Sequence, residues 1–121
     1  MIVPCLIATV IDGDGLRCGP VEVRLLGIDA PDYRKSRPCR QGLGDHVCDD
    51  RSAELAKESL QLGLRLGPVR VEQVGQDRYG RILAIAWAGR VNLNCRQLKV
   101  PGVRYIARHD NSGQVASSCR R

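Results

Sequence analysis

Phenylalanine is absent from the 121 residues, tryptophan occurs once and tyrosine three times. A core without large aromatic rings must be filled by aliphatic side chains, and a chain of this length supports one modest domain. The longest apolar run, Ile82 to Ala88, falls far short of the ~20 residues that cross a bilayer, so no membrane span is expected. Met1 to Cys5 lacks the basic start and long apolar stretch of a signal peptide, so none is expected there. There is no internal repeat, no low-complexity stretch and no G-x-x-x-x-G-K phosphate loop. Neither His46 nor His109 adjoins a serine or cysteine in a catalytic setting, and both read as surface histidines.

What is present begins with charge. Lysine and arginine number 19 against 13 acidic residues, for a net charge of +6, and most of the basic residues are arginine. The planar arginine fork suits phosphate better than an ammonium does. A basic surface concentrates polyanions such as nucleic acid, although the same charge also simply keeps a small protein soluble. Six cysteines in so short a chain point to an oxidising, extracytoplasmic compartment. With no signal peptide in view, either the chain is a mature domain with a new start or its thiols stay reduced in the cytosol.

The patterning predicts a mainly β chain with helices, an α+β class. Leu6 to Ile11, Leu16 to Cys18 and Val21 to Leu25 read as three strands, with Gly19-Pro20 turning the chain between the last two. Alternation in the third strand buries the valines and turns Arg24 to the other face. The polar stretch from Asp32 to Asp49 has the length of a functional loop. Asp50 can cap a helix running to about Leu62, with Ala53, Ala56 and Leu60 on one face. Val69 to Glu72 and Ile82 to Trp87 are the fourth and fifth strands, Trp87 reading as core, and a short helix from Leu93 to Lys99 follows. That order fits a five-stranded OB-type barrel with one helix between strands three and four and a short C-terminal helix. Residues 1–106 form the expected domain, and residues 107–121 read as a tail.

Three short clusters carry chemistry. Asp12-Gly13-Asp14 follows the first strand, and period-two geometry sends both carboxylates to one side. Asp29-Ala30-Pro31-Asp32 follows the third. Taken singly, each is an ordinary turn sequence. If they converge, the four carboxylates repel unless a cation neutralises them, and hard oxygen donors suit Ca2+ or Mg2+. Arg24, five residues before Asp29, and Asp77-Arg78-Tyr79-Gly80-Arg81 add positive charge beside such a site. A metal and two guanidiniums together suit a phosphodiester whose charge grows in the transition state.

Ile11 to Asp14, Arg24 to Asp32 and Asp77 to Arg81 resemble the three signature segments of the staphylococcal nuclease family, in the family's order, and the similarity spans roughly Ile7 to Tyr105. The resemblance implies an OB barrel and a calcium ion held by Asp14, Asp29 and the carbonyl of Ala30, with Asp12 supporting from behind. It implies that Arg24 and Arg81 grip the scissile phosphate, and that Arg78, Tyr79 and Tyr105 contact nucleotide phosphate and base. The implied activity is a calcium-dependent endonuclease on DNA or RNA, acting as a monomer and leaving 3′-phosphates. The alternative is a weakened or inactive nucleic-acid-binding module on the same scaffold.

Three departures bear on that choice. Asp32 stands where the family has the glutamate that orients or deprotonates the attacking water, and the loss of a methylene withdraws the carboxylate by about 1.5 Å, one carbon–carbon bond. Gly15 stands where threonine is usual, and little after Ile106 has helical periodicity. Arg34, Lys35, Arg37 and Arg40 either guide a nucleic-acid strand or form a solvated loop. Resemblance to Cys-rich relatives implies a Cys39–Cys48 bridge across this loop. Cys5, Cys18 and Cys95 sit in or beside regular elements, where buried free thiols are the plain alternative to bridges; their pairing is left open, and Cys119 has no nameable partner. The spacing of Cys39, His46 and Cys48 fits no common zinc module.

Overall fold

The computed structural model describes residues 2–42 and 46–119; Met1, residues 43–45 of the expected loop and residues 120–121 of the expected tail lie outside them. β1 (Ile2–Pro4) leads into a meander of β2 (Ala8–Asp12), β3 (Gly15–Cys18) and β4 (Val21–Leu25), followed by the short β5 (Ile28–Asp29). Along β4, Val23 and Leu25 are buried and Arg24 faces the other way, as alternation predicts, while Val21 at the strand's start is exposed. α1 (Arg37–Arg40) and α2 (Asp50–Gly63) come next, then β6 (Val69–Gln76), β7 (Ile82–Ala88) and β8 (Val91–Asn92). α3 (Leu93–Leu98), β9 (Arg104–Tyr105) and α4 (Gln114–Ser118) complete the chain.

The main sheet runs β1-β6-β7-β4-β3-β2, with β4 and β7 parallel and the other pairs antiparallel. Its two outer strands, β1 and β2, are joined by Cys5, Leu6 and Ile7 alone. A link of that length spans on the order of 14 Å at most, so the sheet must curl until its ends meet. α2 lies against β2, and α3 against β7 and α2. The α+β class and OB-type barrel follow as expected, with more strands than the five that the sequence suggests.

The differences have local causes. The first meander strand starts at Ala8, because Leu6 and Ile7 fall in the link between β1 and β2, where they are 91% and 71% exposed. Asp49, not Asp50, caps α2: its carboxylate accepts hydrogen bonds from the Ser52 N–H at 2.9 Å and hydroxyl at 2.7 Å. Asp50 begins the helix and accepts from the Arg34 N–H instead. Ala53, Ala56 and Leu60 are buried as the helix period predicts.

The segment after Ile106, expected to trail as a tail, is packed. It forms a 3-10 turn over Ala107–His109 and then α4. Val115 is fully buried against the cluster of Leu26 and Ile85, on which Trp87 also packs. Asp110 caps this end, accepting from the N–H groups of Val115 and Ala116. One apolar anchor and a cap leave no periodic trace in sequence. The pairings that the sequence leaves open are closed by the structure: all six cysteines are bonded, as Cys5–Cys18, Cys39–Cys48 and Cys95–Cys119. Cys5 lies in the link that returns beside the end of β3, and Cys119 follows the helix that packs on α3.

Two buried amides tie the helices to the barrel. Asn94 on α3 donates to the carbonyls of Leu26 (3.0 Å) and Ala84 (3.2 Å) and accepts from the Ala86 N–H (3.0 Å). Gln97 donates to the carbonyls of Gly13 (2.7 Å) and Ala56 (2.9 Å), so α3 holds the β2–β3 turn against α2. Replacing Gln97 with leucine leaves two buried carbonyls without their donor, at about 1–3 kcal/mol each. Urea denaturation of Gln97→Leu is expected to show a loss of ~2–4 kcal/mol; a loss under ~1 kcal/mol refutes this role.

Candidate functional site

Asp12 closes β2 and Gly15 opens β3, so Gly13 and Asp14 make the turn between them. A Cβ on Gly13 would lie 2.5 Å from the Ala56 Cβ and 2.8 Å from the Ala30 Cβ, so only glycine lets the turn settle onto α2 and the chain after β5. Asp14 is buried, with both carboxylate oxygens engaged. Its Oδ2 accepts a 2.9 Å hydrogen bond from the Ala30 N–H, and its Oδ1 lies 3.1 Å from Arg24 Nη1. Arg24 Nη2 lies 3.9 Å from Asp29 Oδ1 and donates to the Ile28 carbonyl at 3.2 Å. The Asp14 N–H donates to Asp12 Oδ1 at 3.2 Å. Gly15 sits against that same carboxylate, where a Cβ would approach Asp12 Oδ1 to 3.0 Å.

The antiparallel β5–β9 pair sets Asp29 opposite Arg104, and Arg104 Nη2 meets Asp29 Oδ2 at 2.9 Å. His46 Nδ1 approaches the same oxygen at 3.2 Å, while its Nε2 lies 2.6 Å from Asp32 Oδ2. The backbone fixes this arrangement from both sides: the Asp32 N–H donates to the Val47 carbonyl, and the Asp49 N–H to the Asp32 carbonyl, each at 3.0 Å. The Cys39–Cys48 bond anchors the chain two residues after His46. His46 is therefore not the surface residue that the sequence suggests. Its side chain is 17% exposed and spans two carboxylates, whereas His109 is exposed.

The parallel register pairs Arg24 with Leu83. Arg81, two residues before Leu83, consequently faces the same side of the sheet. Asp77 holds it there, accepting from the Arg81 N–H at 2.9 Å and from Nε at 2.6 Å. Asp12, Asp14, Arg24, Asp29, Asp32 and Arg81 thus line one cleft of about 790 Å3, together with His46, Arg104, Arg108 and His109. Arg78 and Tyr79 line an adjoining hollow of about 570 Å3 that shares Arg24 and Arg81 with the cleft. Tyr79 is 71% exposed, with the Arg78 and Arg81 guanidiniums 5.1 and 5.8 Å from its ring. Tyr105 is not among the residues that line either; its hydroxyl donates to Asp110 at 2.7 Å. Arg34, Lys35, Arg37 and Arg40 are exposed beyond the cleft wall formed by Ser36 and Pro38.

A model of the staphylococcal nuclease family, described as staphylococcal nuclease homologue, matches residues 22–112. The chain belongs to that family. No curated protein sequence matches the chain. Family membership carries a nuclease-type function, the binding or hydrolysis of nucleic acid, and the use of a metal ion. The matched span holds Arg24, Asp29, Asp32, Arg78 and Arg81. Asp12 and Asp14 precede it, and the barrel brings them into the same cleft.

The electrostatics fit a divalent cation. Burial, then the neighbouring Asp14 charge, push the Asp12 carboxyl up to about 7. Burial works against the charged form of Asp29 too, but hydrogen bonds from Arg104 and His46 outweigh it and hold its carboxyl below the usual range. Burial opposes the charged imidazole of His46, and the hydrogen bonds that it donates to Asp32 and Asp29 overcome this and raise its pKa. Asp12 and Asp14 set oxygen donors close together, of the kind that hard cations prefer. His46 also lies with the Cys39 and Cys48 sulfurs, the ligand atoms within 4.8 Å of one another, but the S–S bond leaves no thiolate to bind zinc there.

His46, Arg104 and Arg108 are the cleft residues that sequence reasoning missed. Arg104 was legible in principle, as the neighbour of Tyr105 on a segment pairing with Asp29. The Asp12 shift gives a test. Against an unfolded value of ~3.9, a folded value of about 7 means that the native state binds the proton more tightly, so the charge costs stability increasingly from pH ~4 to ~7. In chelator, Asp12→Asn is expected to match the wild type near pH 4 and to exceed it at pH 8 by on the order of 1–3 kcal/mol. Denaturation at both pH values measures this, and equal stability at pH 8 contradicts it.

Proposed function

We propose that the chain is a metal-dependent phosphodiesterase that cleaves DNA or RNA internally by in-line attack of water. The observation that carries this reading is the meeting of four carboxylates and two arginines, drawn from three separate chain segments, along one cleft. Asp14, Asp29 and the Ala30 carbonyl would hold the cation, calcium being the ion that an all-oxygen set of this kind accepts. Bound there, the cation would supply Lewis-acid polarisation of a phosphoryl oxygen. Asp12 supports Asp14 by accepting a hydrogen bond from the Asp14 N–H. Asp32 is the carboxylate assigned to the attacking water, and Arg24 and Arg81 neutralise charge that grows on the phosphoryl oxygens in the transition state. Arg78 and Tyr79 flank the path of the neighbouring nucleotide, where an exposed ring offers a stacking face. The family resemblance assigns Tyr105 to the same path, although its hydroxyl donates to Asp110 and it lines neither hollow. In this reading the 5′ oxygen leaves, and products carry 3′-phosphates.

One observation favours the second reading, a weakened enzyme that chiefly binds nucleic acid. Asp32 Oδ2 is already engaged by His46 at 2.6 Å, on a side chain one methylene shorter than glutamate. Binding alone cannot separate the two readings, because the same basic surface serves both. Three disulfides favour an extracytoplasmic location, where they persist.

The purified protein is expected to nick supercoiled plasmid in added calcium and to stop when a chelator is added. Arg24→Lys and Arg81→Lys are expected to lower kcat by ~10²-fold with little change in KM, because a point charge cannot reproduce the planar fork around a changing phosphate. Salt-dependent binding without cleavage of DNA or RNA in any divalent cation selects the second reading. A change confined to KM would leave that arginine a substrate-binding role alone.

A further inference from the structure

The end of the barrel away from the cleft has no task in the proposed chemistry. β2 starts there at Ala8 and reaches the cleft at Asp12, and β4 starts there at Val21 and carries Arg24 to the cleft. Four steps of about 3.3 Å along β2 set the two ends roughly 13 Å apart. Four links meet at the far end: residues 5–7 between β1 and β2, Gly19-Pro20 between β3 and β4, residues 64–68 after α2, and Gly89-Arg90 between β7 and β8. Backbone hydrogen bonds tie them together. The Cys5 N–H donates to the Val69 carbonyl, the Gly19 N–H to the Ile7 carbonyl, and the Gly89 N–H to the Pro68 carbonyl.

Leu6 and Ile7 crown this end, 91% and 71% exposed, and Val21 and Leu66 on the neighbouring links are exposed as well. The first link cannot fold inward to hide them, because the Cys5–Cys18 bond and the hydrogen bonds at Cys5 and Ile7 fasten it. Beside Leu6 opens a hollow of about 340 Å3, whose lining includes Pro4, Cys5, Leu64, Pro68 and Val69 and no charged side chain. The four links carry Arg65 and Arg90 and no acidic residue. Arg17 and Arg70, also exposed, stand one residue from Cys18 and Val69 on the barrel wall, with Glu22 opposite Arg17.

The charge decides what covers this apolar tip. A second copy would fit a Leu6 knob to a hollow, but it would press the same arginines against one another. Nucleic acid supplies negative charge without an apolar layer. An anionic bilayer supplies both, with charged headgroups outside and acyl chains beneath. No helix among the described residues is long and apolar enough to cross a membrane, and a contact of this kind needs none.

We propose that this end of the barrel docks on anionic lipid bilayers, with Leu6 and Ile7 entering the boundary between headgroups and acyl chains while Arg17, Arg65, Arg70 and Arg90 meet the headgroup phosphates. The cleft then faces away from the bilayer, open to solution. This surface is separate from the cleft, and the proposal does not depend on what the cleft does.

The test is co-sedimentation of the oxidised full chain with sucrose-loaded vesicles of phosphatidylcholine, with and without about 30 mol% phosphatidylserine, in ~0.1 M salt. The wild type is expected to bind the phosphatidylserine vesicles at least ~10-fold more tightly than the neutral ones. Leu6→Ser/Ile7→Ser, at two positions too exposed to matter to the core, is expected to lose ~30-fold or more. Arg65→Gln/Arg90→Gln is expected to lose ~10–30-fold. Leu55→Ser, on the exposed face of α2, and Arg34→Gln/Arg37→Gln, beyond the cleft wall, are expected to stay within about threefold of wild type. Leu6→Trp keeps an apolar tip, and its added fluorescence is expected to shift to the blue on phosphatidylserine vesicles and to be quenched by brominated acyl chains, above the background of Trp87 in the wild type. The proposal is overturned by a wild type that ignores phosphatidylserine, by binding that survives Leu6→Ser/Ile7→Ser, or by a loss that follows Arg34 and Arg37 instead. Sedimentation velocity showing a dimer that Leu6→Ser/Ile7→Ser dissociates also overturns it, in favour of a second copy. Plasmid nicking in solution by Leu6→Ser/Ile7→Ser is expected to equal that of wild type, so the lipid result and the phosphodiesterase reading stand or fall separately.

Discussion

Burying an aspartate at a strand end is costly unless each oxygen meets a donor, and the barrel answers Asp14 from two directions: the Ala30 N–H takes Oδ2 and Arg24 takes Oδ1. Each of those partners is fixed by something else. Arg24 is carried on β4, whose register against β7 also places Arg81. Ala30 follows β5, whose pairing with β9 brings Arg104 to Asp29. The carboxylate is therefore the knot through which three strand ends share one geometry. A shift in any of them disturbs the others, which is why the turn at Gly13 is packed so closely on Ala56 and Ala30.

Holding such a knot in a chain without phenylalanine is a problem of core size. The barrel interior is lined by leucine, valine and isoleucine, with Ala84, Ala86 and Ala88 all fully buried along β7. Small side chains let α3 come close enough for Asn94 to reach the backbone of β7 and of Leu26 just after β4, so rigidity comes from directed hydrogen bonds as much as from apolar area. Three disulfides add to this, each closing a short loop and contributing about 3 kcal/mol in the chain-entropy model. Two of them fasten segments with few other anchors: Cys5–Cys18 the link between the sheet's outer strands, and Cys95–Cys119 the last helix.

The parts of the molecule legible in sequence are those governed by local period. Val23, Arg24 and Leu25 alternate as a strand, and Ala53, Ala56 and Leu60 follow the helix turn, so the barrel and its main helix were accessible. The signature segments gave Asp14, Asp29, Arg24 and Arg81, because each lies within a few residues of a strand end. What stayed hidden depends on contacts between distant segments. β1 reads as nothing in particular until β6 is there to pair with it. The final segment is held by Val115, Asp110 and a disulfide, none of which produces a period. His46 looked like a loop residue because its role depends on a ring reaching back 14 and 17 positions to Asp32 and Asp29.

Charge in the cleft gives the last link between structure and proposed chemistry. Without a cation, Arg24, Arg104 and His46 lie against the carboxylates and use up their own positive charge there. A divalent cation among Asp14 and Asp29 would satisfy those carboxylates directly and release the guanidiniums for a phosphate. A phosphodiester bound to the guanidiniums would in turn lessen their competition for the carboxylates. Cation and substrate then strengthen each other, and by linkage the factor is the same in both directions. Arg81 stands apart from this exchange, since Asp77 holds it whether or not the carboxylates are occupied. The cleft thus combines one arginine fixed in advance with another whose availability depends on the metal. In the proposed function, an arrangement of that kind would keep affinity for nucleic acid low until a cation is present.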